Sequence, residues 1–168
     1  MVAENVNLIK FDRKLVTIRR VKEILPIPGA DAIEVAAIDG WKVVVKKGEF
    51  KAGDLCVYFE IDSFLPESDP RYAFLMKSGV REFDGVRGHK LRTVRRLGQI
   101  SQGLALPLGH ANDTLFPEIW KYLLVDNLDV ASPYEADYSE LLGIKKWEPQ
   151  VPAELAGQVK GSFPSFIR

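Results

Sequence analysis

The sequence predicts a mainly-β protein: a small barrel, closed or partly open, with short helices and a C-terminal arm that is part helical and part extended. Three observations carry that expectation. Four β-prone runs joined by short turns occupy residues 15–61, and the first slips out of phase with itself at Arg19-Arg20. A short helix capped from Ser68 or Asp69 follows at Pro70. Two further strand-like runs, residues 88–97 and 104–108, complete the set.

Residues 1–13 are polar and read as a flexible lead-in, with the barrel spanning residues 14–108. In Leu15 to Leu25 (LVTIRRVKEIL), Val16 and Ile18 are in phase and Val21 is not. A one-residue slip inside a long strand is a bulge signature, and a bulge bends a strand so that it can serve two sheets. Pro26 to Asp31 is a turn, Ile33 to Ile38 a second strand, Asp39-Gly40 a hairpin turn and Trp41 to Lys46 a third strand. Leu55 to Ile61 (LCVYFEI) is the fourth, with Leu55, Val57, Phe59 and Ile61 on one face. Asp62 to Pro66 is read as a segment leaving the barrel. In the helix after Pro70 (RYAFLMK), Tyr72, Leu75 and Met76 fall at the spacing that packs onto the barrel.

The next strand is expected to run from Gly88 to Leu97. Alternation then puts Lys90, Arg92, Val94 and Arg96 on one face, with Leu91, Thr93, Arg95 and Leu97 on the other. Gly98 ends it, and Gln99 to Gly103 supplies small polar side chains before a final strand, Leu104 to Leu108. A helix set between the third and fourth barrel strands is the arrangement of oligonucleotide/oligosaccharide-binding (OB) barrels. Residues 109–148 read as a helical appendage: Phe116, Ile119, Trp120 and Leu123 share a helix face with Pro117 at its start. A second short helix, Tyr138 to Leu142, lies between Asp137 and Gly143. Residues 149–168, with Pro149, Pro152 and Pro164, read as a linker or docking arm.

Formal net charge is zero, which excludes a protein held to nucleic acid by bulk charge. The distribution is uneven. Residues 77–102 carry seven Lys and Arg against Glu82 and Asp84, a local net of +5. Residues 126–148 carry six acids against two lysines, a net of −4. The lone Cys56 sits in an apolar run and can form no internal disulfide. No apolar run is long enough to span a bilayer, and the N-terminus lacks a signal-peptide pattern, so an intracellular, reduced compartment is expected.

Catalytic and metal motifs are wanting. One Cys with His89 and His110 builds no zinc-type cluster, and there is no G-x-S-x-G. Gly85 to Lys90 lacks the spacer and the Ser/Thr of a phosphate loop. Lys-x-Asp-Gly is also absent: the two Asp-Gly pairs, Asp39-Gly40 and Asp84-Gly85, have Ala37 and Glu82 where lysine would stand. What remains is a cationic β surface suited to a sugar-phosphate backbone. Lys90, Arg92 and Arg96, with Arg87, Arg95 and His89 nearby, are the candidate phosphate contacts. Gln99, Ser101 and Gln102 are the candidate hydrogen-bonding contacts, and Phe64, read as exposed in its loop, the candidate base-stacking aromatic.

Four segments, residues 40–66 (GWKVVVKKGEFKAGDLCVYFEIDSFLP), 89–108 (HKLRTVRRLGQISQGLALPL), 141–157 (LLGIKKWEPQVPAELAG) and 161–168 (GSFPSFIR), occur in the order of one known family. Together they resemble the amino-terminal domain of the Deinococcus-type, ATP-dependent, nick-sealing RNA ligases, over about residues 14 to 168. The resemblance implies an OB barrel preceding a nucleotidyltransferase domain whose adenylate-accepting lysine follows a segment matched by Phe163 to Ile167. Arg168 stands where that family often has proline. The implied parent uses ATP and a divalent metal (Mg or Mn) to join a 3′-hydroxyl to a 5′-phosphate in a duplex. The barrel would bind RNA or an RNA-containing nicked duplex without catalysing the reaction, and its other partner would be the nucleotidyltransferase domain of the same polypeptide. Two alternatives stay open: a stand-alone tRNA- or RNA-binding OB module, and a protein-interaction barrel whose basic face docks on an acidic partner.

Overall fold

In the computed structural model, residues 14–125 and 136–148 are described. The expected slip is real, and it falls two residues later. Strand β1 (Val16–Arg20) ends before Val21-Lys22, and β2 (Glu23–Pro26) continues in a different sheet. At the corner, Val21 N–H donates to Asp54 O (2.8 Å) and Lys22 N–H to Ala37 O (2.8 Å), so one residue bonds to each sheet. β2 pairs with β3 (Ile33–Ile38), which pairs with β4 (Trp41–Lys46) across Asp39-Gly40. β1 pairs with β5 (Leu55–Phe59).

Beyond β5 the sequence expectation needs two corrections. Asp62, at φ 74°, turns the chain, and Ser63–Pro66 forms a strand of its own, β6. It does not leave the barrel as a loop; Pro66, at the strand's end, removes no bond the sheet requires. The 3₁₀ helix Pro70–Ser78 follows, capped by Asp69, whose carboxylate accepts from Arg71 N–H (3.0 Å). β7 (Arg81–Phe83) and β8 (Val86–Lys90) form a hairpin, giving a sheet ordered β12-β6-β8-β7, where β12 is Lys145–Lys146.

The second correction concerns residues 88–97, which are not one strand. Pairing with the β6 segment persists to Leu91, whose N–H donates to Ser63 O, and the chain then turns. β9 (Val94–Arg96) folds back on β10 (Gln99–Ser101) through the two-residue turn Leu97-Gly98. β11 (Leu104–Pro107) closes onto β5. The gap between β4 and the β10–β11 segment is bridged by Val44 N–H to Ser101 Oγ (2.9 Å) and Gln102 N–H to Lys42 O (2.9 Å). Helices α1 (Pro117–Val125) and α2 (Ser139–Leu142) complete the described fold; Pro117 opens α1 and Gly143, at φ 73°, stops α2. The lead-in 1–13 and the arm 149–168 expected from the sequence lie outside the described residues.

Strand β5 separates two apolar clusters. Val57 and Phe59 join Val16, Ile18, Leu65, Tyr72, Phe116 and Ile119, so the 3₁₀ helix and both α-helices cover that face. Cys56 and Tyr58 join Val21, Ile38, Val43, Phe50 and Ala105. The close approach of β6 to β8 is set at Gly88: a Cβ there would lie 2.3 Å from Leu65 O and 2.9 Å from the Phe64 ring. A methyl group at that point forces backbone and ring apart. Gly88→Ala is therefore expected to cost about 2 kcal/mol of unfolding free energy, the usual size of overpacking. A denaturant midpoint equal to that of the unaltered chain would refute the tight β6–β8 contact.

Candidate nucleic-acid interface

The hairpin and the 3₁₀ helix border a cleft of about 440 Å³. Val44 and Lys46 of β4, Glu49, Arg92, Val94 and Arg96, Ser101 and Leu104, and Phe74 and Leu75 of the 3₁₀ helix line it. The register explains which hairpin side chains face in. Val94 lies opposite Ser101 and Arg96 opposite Gln99, and opposed residues of an antiparallel pair share a face. Arg95 and Ile100 therefore take the other face. Ser101 fixes the hairpin against β4 through its bond from Val44 N–H.

Arg92 and Arg96 are exposed, and among the described residues neither makes an ion pair. Two unneutralised guanidinium groups on one cleft leave a local positive potential, which anions can relieve. Glu49 is the opposing charge: burial pushes its carboxyl above the ordinary value, against the lowering effect of Lys46. Apolar surface also lines the cleft, and Phe74 is 49 % exposed.

The cleft's helical border is locked by Arg71. Its guanidinium donates to Asp69 (2.7 Å) and to Glu118 (2.9 Å), and to Leu115 O (3.1 Å), while its Cζ lies 5.1 Å from the Phe116 ring centroid. One side chain thus ties the 3₁₀ helix to the start of α1. The Arg71 hydrogen bond holds the Asp69 carboxyl below the usual carboxylate range, more strongly than burial raises it.

Residues 15–108 match the PHA02142 OB-fold domain model. The chain belongs to the PHA02142 OB-fold domain family. Among curated protein sequences none matches it. Solved structures of Naegleria gruberi RNA ligase are similar to it. An apo mutant shares 50% identity with a TM-score of 0.68, over 85% of this chain and 38% of the ligase chain. A mutant holding AMP and Mn shares 50% identity with a TM-score of 0.67, over 83% and 37%. A third, with ATP and Mn, matches with the same identity, score and coverage. The chain spans less than two-fifths of the ligase chains it matches.

In this OB-fold domain, the residues singled out from the sequence separate. Arg92 and Arg96 share the cleft, whereas Lys90 does not join them. It lies 3.8 Å from Asp62 and 5.6 Å from the Trp147 ring centroid, because the turn after Leu91 interrupts the alternation on which a single face depended. Arg87 is exposed and paired with Glu67 (2.9 Å). Arg95 donates to Gly98 O (3.3 Å) at the hairpin turn. His89, a candidate phosphate contact, also lines the cleft but is buried, and its Nδ1–H donates to Gly79 O (2.8 Å). Phe64, expected exposed, is 2 % exposed: pairing of β6 with β8 turns it under Phe83 and Trp147, with centroids 5.6 Å from each. Gln99 donates to Ile100 O (2.8 Å), Ser101 is buried, and the Gln102 carbonyl accepts from the Tyr58 hydroxyl (2.8 Å).

Sequence reasoning missed Trp147, over whose ring both Lys90 and Arg81 lie, and it missed Glu49 and Phe74 in the cleft. An aromatic unassigned on a helix face was the one available signal for Phe74. Burial pushes the Cys56 thiol up to about 12, in keeping with a packing role. Among the described residues no three of His, Cys, Asp and Glu gather as a metal donor set, and no helix is long and apolar enough to cross a membrane.

Because the folded-state value of Asp69 is lowered, its contribution is fully present above the ordinary carboxylate value and is lost as pH falls through the lowered one. Asp69→Asn should therefore be less stable than the unaltered chain at neutral pH, and the difference should shrink in acid. Urea midpoints measured at neutral and acid pH check this; a pH-independent difference would exclude the ion network as its source.

Proposed function

We propose that this chain is the RNA-holding part of an ATP-dependent RNA ligase, binding an RNA-containing nicked duplex while 3′-hydroxyl and 5′-phosphate are joined by a nucleotidyltransferase domain of the same polypeptide. The observation that carries the reading is the pair Arg92 and Arg96, exposed and unpaired among the described residues on one cleft of a domain that shares 50% identity with part of one RNA ligase. Sealing depends on holding two ends in line, and cations along a groove do that through phosphates without reading sequence. Gln99, at the hairpin's cleft face, and Gln102 supply hydrogen-bonding groups within reach of a backbone. The N. gruberi ligase structures hold ATP, AMP and Mn. In this reading the barrel holds substrate, and the chemical steps belong to the nucleotidyltransferase domain. A single, buried cysteine fits a reduced, intracellular setting.

Binding to a nicked RNA duplex is expected to weaken as salt rises, and Arg92→Ala with Arg96→Ala should lower the log–log salt slope by about 2, near 0.9 for each phosphate that is no longer neutralised. Fluorescence anisotropy over a salt series measures both. Unchanged affinity and slope in the double variant would reject this cleft as the RNA site. Glu49 faces the same cleft, so Glu49→Gln should tighten binding. Its raised carboxyl also means that the unaltered chain gains affinity as pH falls toward that value, and the variant loses this gain. Affinity insensitive to the substitution would place the phosphates away from Glu49.

A further inference from the structure

Two hairpins in this chain turn through two residues that both have positive φ. Phe83 pairs with Val86 across Asp84 (φ 57°) and Gly85 (φ 79°). Arg96 pairs with Gln99 across Leu97 (φ 47°) and Gly98 (φ 82°). The first uses Asp-Gly, a pair this turn favours, since a short polar side chain tolerates the left-handed region. The second puts leucine in the same place, where its Cβ crowds the following carbonyl and its side chain offers no local hydrogen bond.

Among the described residues no apolar packing offsets that strain. Leu97 is 65 % exposed and belongs to neither apolar cluster, and Ile100, also on the hairpin, is 41 % exposed. The surroundings are cationic: Arg92, Arg95 and Arg96 are all exposed, and residues 85–112 contain no Asp or Glu. Strain kept at an exposed tip, with branched apolar side chains beside arginines, points to a polyanion that also offers an apolar interior. A base-paired duplex has both: phosphates outside, stacked bases within.

Resting on the RNA-holding role of the cleft, we propose that the β9–β10 hairpin is a wedge whose Leu97 enters the base stack at the strand break. Apolar side chains inserted between base steps unstack them at a cost, and that cost is lower where one strand has lost its covalent link. The arginines hold the flanking phosphates while the leucine tests whether the stack opens. The hairpin thereby recognises the discontinuity itself, through deformability and without reading base identity.

The 168-residue chain, titrated with an RNA duplex carrying one nick and with the same duplex intact, tests this. 2-Aminopurine placed beside the break reports unstacking. The unaltered chain is expected to prefer the nicked duplex by about tenfold and to raise 2-aminopurine fluorescence. Leu97→Asn puts a favoured residue in the turn, so it should fold with a raised Tm. It should bind the nicked duplex no better than the intact one and leave the fluorescence low. Arg92→Ala with Arg96→Ala should weaken both duplexes alike. If the unaltered chain binds neither duplex, or the arginine pair does not matter, RNA holding by the cleft is itself wrong. If binding depends on the arginines but Leu97→Asn keeps the preference and the fluorescence rise, the wedge alone is overturned. An unaltered chain that binds both duplexes equally with no fluorescence change overturns it as well.

Discussion

The structure depends on β5 being buried on both faces. Cys56 and Tyr58 on one side and Val57 and Phe59 on the other are each almost fully removed from water, so β5 must be covered twice. β1 and β11 flank it within its sheet, and the strands β2–β4 cover one face. The other face is left to the 3₁₀ helix, α1 and α2, through Tyr72, Phe116, Ile119 and Leu142. Burial of this kind is worth roughly 1.5–3 kcal/mol for each large apolar side chain. The helical segments are thus a required second wall of the core, and their placement fixes one border of the cleft.

From that wall the rest of the site follows. Arg71 ties the 3₁₀ helix to α1, and with it Phe74 and Leu75 are held at the cleft. On the opposite border, the Ser101 hydroxyl oxygen accepts from the Val44 N–H of β4, which holds β10 and hence β9 in place. Arg96 is then presented by a hairpin whose position is fixed, with Arg92 just before it, and among the described residues neither makes an ion pair. A basic surface pairs its cations with nearby acids wherever geometry allows, as Arg87 does with Glu67 and Lys145 with Asp84. Arg92 and Arg96 make no such pair among the described residues, and both line the cleft.

A second concentration of rings and cations lies across β6 and β8. Phe64, Phe83 and Trp147 pack together, with Trp147 and Phe83 centroids 4.9 Å apart, and Arg81 and Lys90 lie over the indole. Cation–aromatic contact and the ion pair of Lys90 with Asp62 satisfy these charges locally. That cluster fastens the segment after α2 to the barrel: Trp147 N–H donates to Asp62 O (2.7 Å), and Lys145 and Lys146 pair with Phe64 and Ser63.

Features that rest on local chemistry were legible in the chain before it folded. The phase slip after Arg19, the Asp39-Gly40 turn, the Asp69–Pro70 helix start and the Gly143 stop each depend on a few adjacent residues, and each forms near where it is expected. The net positive charge of residues 77–102 was equally plain. Which cations lie on one cleft came only from the tertiary structure. Alternation along an assumed single strand grouped Lys90 with Arg92 and Arg96, but an unfavoured Leu97-Gly98 turn and the pairing of Leu91 with the β6 segment broke that strand in two. Phe64 and His89 went inside for the same reason: Ser63–Pro66 found a partner in β8, and pairing between segments distant along the chain carries no signal in either segment alone. Sheet partners are chosen by burial across the whole domain, so the faces of short strands are known only once the domain has closed.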